Sequence, residues 1–99
     1  MDLKKEQYRR IRGAILKLLA CEHPGSVDIK VLHFSLDNLR MTITQEELRS
    51  HLAYLNAKGY AEIHKRKVGR VEIEMVVITP QGLDVLDGFA GEVGVNIDF

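Results

Sequence analysis

Tryptophan is absent from these 99 residues and cysteine occurs once, at Cys21. A single thiol rules out an intrachain disulfide, whereas small secreted domains are ordinarily stapled by several. A reducing, cytoplasmic setting is therefore expected. Cys21 has Glu22 and His23 beside it and no basic cluster, so it is expected to be a small buried hydrophobe at a helix end. Long apolar runs are also missing, and nothing approaches the roughly 20 residues that a membrane span needs. The opening MDLKKEQYRRIR has basic residues but no apolar block behind them, unlike a signal peptide.

The residue sets that carry chemistry are just as sparse. His23, His33, His51 and His64 are scattered, with no helical i,i+4 pair and only one cysteine to join them, so no metal site is expected. Ser50 and His51 are helix neighbours that point about 100° apart, which excludes direct activation of the serine. Glu72 and Glu74 share one strand face and are expected to keep an exposed sheet soluble. Gly69 and Gly82 do not make a phosphate loop. No enzyme, cofactor or small-molecule ligand is expected.

What is present suits one globular domain. Hydrophobic residues make up 45% of the chain, enough for a single core, and charged residues 28%, enough for a soluble surface. Formal net charge is zero, but it is unevenly spread. Lys4, Lys5, Arg9, Arg10, Arg12 and Lys17 face only Asp2 and Glu6 in the first 20 residues. Lys65, Arg66, Lys67 and Arg70 form a second basic segment, against Glu62. From residue 71 onward there are acids, Glu72, Glu74, Asp84, Asp87, Glu92 and Asp98, and no Lys or Arg. Two basic segments against an acidic end could orient the domain on a polyanion, or could simply be solvated faces.

Hydrophobic spacing predicts a first helix over residues 4–21, with Ile11, Ile15, Leu18 and Leu19 on one side. His23-Pro24-Gly25 breaks it. Ser26 or Asp28 can cap a second helix over residues 27–39, with Ile29, Leu32, Leu36 and Leu39 as its apolar set. Thr44-Gln45-Glu46-Glu47 spells a capping box for a third helix over residues 44–58, buried through Leu48, Leu52 and Leu55 and closed by Gly59. The period then changes to two. Strands are expected on either side of Lys67-Val68-Gly69-Arg70 within residues 60–79, where Val71, Ile73, Met75 and Val77 alternate with Glu72 and Glu74; from Met75 to Ile78 both faces are apolar, so the base of the hairpin is expected to be buried and its tip exposed. Thr79-Pro80 opens a short helix over residues 80–87. In the tail, residues 89–99, Val93, Val95, Ile97 and Phe99 recur at every second position, a strand pattern without an obvious partner.

Helix, helix, turn, capped helix and hairpin follow in order. LRMTITQEELRSHLAYLNAKGYAEI, followed by a basic-tipped hairpin and ITPQGLDVL, resembles the winged helix-turn-helix class, an α+β fold. More narrowly, it resembles the small winged-helix proteins of Mu-like phages and prophages. The resemblance covers about residues 11–95 and adds context more than mechanism. It implies double-stranded DNA as partner, with the third helix in the major groove and the hairpin tip on the backbone. On this chain that assigns Gln45, Arg49, Ser50 and Asn56 to the groove, where Arg49 would read guanine and Gln45 and Asn56 adenine. Lys65, Arg66, Lys67 and Arg70 are assigned to phosphates, with Arg10 and Arg12 adding contacts from the first helix. The third helix departs from this pattern, because Glu46 and Glu47 balance Arg49 and Lys58. The competing expectation is a protein-interaction module on the same fold. A homodimer is also expected, since DNA readers of this size commonly bind two half-sites and the apolar tail must pack somewhere, on its own chain or on a second copy.

Overall fold

A computed structural model describes residues 2–98. Asp2 begins the first helix, α1 (Leu3–Cys21), its carboxylate accepting from the amides of Lys4 and Lys5. Ile11, Ala14, Ile15, Leu16 and Leu19 face the core along its length. Cys21 falls outside that stripe and is exposed, which corrects the expectation of a buried thiol. A two-residue strand that periodicity could not reveal follows, β1 (Val27–Asp28). Asp28 serves twice: it pairs with Met75 in the sheet, and its side chain caps the second helix by accepting from Lys30 N at 2.7 Å.

That helix, α2 (Ile29–Asn38), buries Ile29, Leu32 and Leu36. Leu39, expected inside, is exposed. The cause is local: the helix ends at Asn38 and Arg40 takes a left-handed φ of 61°. The chain turns there, and Met41 and Ile43 pack against the core instead. The third helix, α3 (Gln45–Ala57), starts at the capping box that its sequence spells, with Thr44 Oγ1 accepting from Glu47 N and Glu47 Oε1 from Thr44 N, both at 3.1 Å. Leu48, Leu52 and Leu55 are its buried leucines. Gly59, at φ 81°, closes it in a conformation that costs a side-chain-bearing residue about 1–2 kcal/mol.

Two strands, β2 (Ala61–Val68) and β3 (Val71–Ile78), form the hairpin. The sheet order is β1-β3-β2, all antiparallel, so β3 is flanked on both sides. Val76 and Ile78 are the buried residues of β3, whereas Val71 is exposed and Ile73, Met75 and Val77 are only half-covered. Glu72 and Glu74 thus share the parity of the core-facing residues, but lie beyond the end of the core. A short fourth helix, α4 (Pro80–Leu86), is capped by Thr79 and contributes Val85 to the core.

The tail is not a strand. It runs back over α1, with Asn96 N donating to Arg9 O at 3.0 Å and Val95 buried. Ile97 packs against the core, Val93 remains 87% exposed, and Phe99 lies outside the described residues. Spacing by two suggested four side chains on one side; the bend at Gly94 separates them. The tail therefore docks within its own chain.

Candidate nucleic-acid interface

One face of α3 carries no core residue. Gln45, Glu46, Arg49, Ser50, Ala53, Asn56 and Ala57 are all exposed, and at 3.6 residues per turn they fall on one side of the helix. The face displays a guanidinium, two amides, a hydroxyl and, at its N-terminal edge, the Glu46 carboxylate around two methyl groups. Hydrogen-bonding groups and small apolar contacts of this kind are what base edges in the major groove accept. Ala53, one turn after Arg49, sits within this face and was not singled out from the sequence, although its spacing is visible there.

Beyond α3 rises the hairpin tip. Lys65, Arg66, Lys67 and Arg70 are all exposed. Lys65 meets Glu72 across the strands at 3.7 Å, while Arg66, Lys67 and Arg70 make no ion pair among the described residues. The tip keeps a positive surplus, though a smaller one than the basic run suggested, because Lys67 pairs in register with Glu72 and Lys65 with Glu74.

Arg49 does not stand free. Its Nη1 and Nη2 donate to Glu74 Oε2 and Oε1 at 3.0 and 2.6 Å, tying α3 to β3. This hydrogen-bonded pair lowers the pKa of the Glu74 carboxyl and raises that of the guanidinium. Glu74, assigned from the sequence to a solvated strand face, is thereby part of the surface around the helix. No sequence signal marks a contact between residues 25 positions apart. The groove between α2, α3 and β3 is lined by Lys30 and His33 as well as Gln45, Arg49 and Glu74.

Arg10 is exposed and borders a shallow depression beside the α2–α3 turn. Arg12, expected to add a backbone contact, lies apart from α3's exposed face and is bonded within the chain. Its Nε donates to His51 Nδ1 at 3.1 Å, its Nη1 to Gly94 O at 3.3 Å, and its guanidinium lies 3.8 Å from the centre of the Tyr54 ring. Burial, and then the Arg12 charge, push the His51 pKa down. Glu92 completes this tail clamp by accepting from the hydroxyls of Tyr54 and Tyr60, both at 2.8 Å, and from Gly94 N. The bond to Glu92, with burial, pushes the Tyr60 hydroxyl up to about 12.

Among the described residues there is no cluster of three potential metal ligands, and no helix is long and apolar enough to cross a membrane. No curated protein matches the chain. A family model for winged helix DNA-binding domains matches residues 11–93, which takes in the helical core, the hairpin, α4 and most of the tail clamp. Architecture and match agree, and the chain belongs to the winged helix DNA-binding domain family.

Proposed function

We propose that this domain binds duplex DNA with α3 in the major groove and the hairpin tip on the phosphate backbone, as a transcription regulator or accessory factor. The observation that carries this reading is the core-free face of α3 next to an exposed basic tip. Gln45, Arg49, Ser50 and Asn56 are assigned to base edges, Arg66, Lys67 and Arg70 to phosphates, with Lys65 sharing its charge with Glu72. Arg10 adds a backbone contact from α1. A phage or prophage setting rests on the sequence resemblance alone. A homodimer on two half-sites is part of the proposal. With the tail docked on its own chain, the apolar surface left for a second copy includes Leu3, Phe89 and Val93, all more than 70% exposed.

The test is affinity for random-sequence duplex across a salt series. Neutralising several phosphates releases counterions, so affinity should fall steeply and log-linearly with salt. No binding at low salt would sink the reading. It would favour a protein-interaction module, a role to which the balanced charge of α3 and the neutralised Arg49 would also be suited.

A further inference from the structure

An arginine side chain has five N–H donors in one rigid plane. The Glu74 carboxylate takes two of Arg49's, through parallel bonds at 3.0 and 2.6 Å, and leaves three. Because the guanidinium is planar, fixing two N–H vectors fixes the direction of the others. The carboxylate that does so is itself well anchored. It hangs from β3, paired there with Lys65 of β2 and next to Met75, where β1 joins on the other side, and its side chain is 23% exposed against 52% for Arg49. The more exposed partner is thus held by the more buried one, and the held partner still faces solvent.

Charge points the same way. Paired with a carboxylate, Arg49 offers phosphates little net attraction, and a phosphate contact would place DNA charge close to Glu74. What remains is directional hydrogen bonding. Guanine fits it, because O6 and N7 together accept two N–H groups from one arginine, whereas adenine offers a donor where O6 would be. We propose that Glu74 is a positioning residue for base readout: it locks the plane of Arg49 and so selects guanine at the base pair that Arg49 faces. This rests on the DNA-binding reading above and adds to it a residue that need not touch DNA.

The full chain is tested by selection from a duplex library with a randomised centre, alongside affinity for random duplex. The unsubstituted protein should enrich a site containing a guanine that Arg49→Ala makes indifferent. Glu74→Gln keeps the side chain's shape and should flatten that same base pair, by roughly tenfold in preference. Its affinity for random duplex should be unchanged or higher, since a negative charge has left the phosphate surroundings. Glu74→Asp retains the charge but draws the carboxylate back by one methylene, and should flatten the same position. Glu72→Gln removes an equal charge from the same strand without touching Arg49 and should leave the guanine in place. Thermal melts check that each variant is folded. If Glu74→Gln and Glu74→Asp keep the full guanine preference, the inference fails while DNA binding stands. A sharper preference with tighter binding would also overturn it, because Glu74 would then compete with the base. Failure of the unsubstituted protein to bind random duplex at low salt removes the DNA reading and the inference with it.

Discussion

At Nδ1, His51 accepts a hydrogen bond from a group that cannot lose its proton, so its own proton must sit on Nε2 and the ring must be neutral. The ring is only 4% exposed, with Tyr8 edge-on at 5.3 Å, Arg12 beside it and Glu47 one turn back on its own helix. Burial and Arg12 disfavour the imidazolium, while Glu47 favours it less strongly. The folded pKa therefore lies below the ordinary value of 6.5. Between the two values the unfolded chain binds more protons, so stability is fully present above about 6.5 and falls as pH drops through the folded pKa. Melting temperature should decline as pH falls below about 6.5, down to the folded pKa, and His51→Gln should flatten this part of the profile. A level melting temperature from pH 8 to 5 would show that the ring is not held neutral. Gly94 belongs to the same cluster. A Cβ there would overlap the Tyr54 hydroxyl, so Gly94→Ala must push the tail off Tyr54 or move the ring. Overpacking of this kind costs about 1–3 kcal/mol, read as a lower melting temperature.

Elements differed in how openly the sequence announced them, and the differences have physical causes. α3 was legible because its cap is local: Thr44 and Glu47 satisfy each other's backbone amides within one turn. The hairpin was legible through its change of period and Gly69, and its buried base through the apolar run from Met75 to Ile78, but which parity faces inward was not. Val71, Ile73, Met75 and Val77 form the longer apolar alternation, yet Val76 and Ile78 are the residues covered by helices. What decides the inner face is where the helices lie, and strand periodicity carries no record of that. β1 was invisible because two residues cannot display a period. In the candidate site, the exposed face of α3 and the basic tip could be read from spacing and charge. The Arg49–Glu74 pair and the bonding of Arg12 to His51 and the tail could not, since both depend on partners far away in sequence. At this scale the hairpin carries a prediction. Replacing Lys65, Arg66 and Lys67 by alanine should weaken binding about equally on all DNA sequences and reduce the slope of its salt dependence. The melting temperature should barely change, because all three side chains are exposed. Unchanged affinity would remove the hairpin tip from the interface.

For the molecule as a whole, zero net charge conceals a division of labour. Three acids of the C-terminal third are paired, Glu92 tying the tail to α3 and Glu74 and Glu72 meeting Arg49 and Lys65, while Asp84, Asp87 and Asp98 are exposed away from the hairpin tip. Arg66, Lys67 and Arg70 are exposed together at the hairpin tip, so the field that a polyanion meets at that end is more basic than the composition suggests. Light scattering at high micromolar concentration tests the dimer proposed with this surface, and a mass of one chain there would rule it out. If a dimer is found, Val93→Ser and Phe89→Ser should shift it towards monomer without loss of the melting transition, because both side chains are more than 80% exposed.

Sheet order has one more consequence. With β3 in the middle, the outer side of β2 is an open edge whose unpaired amides and carbonyls could template a strand from another molecule. Lys65, Arg66 and Lys67 sit in succession along it, and two such edges approaching each other would bring like charges together. The residues proposed to hold phosphate would then also act as gatekeepers against edge-to-edge aggregation. Stripped to alanine, the strand would lose both roles, and loss of solubility at high concentration would accompany the weaker DNA binding.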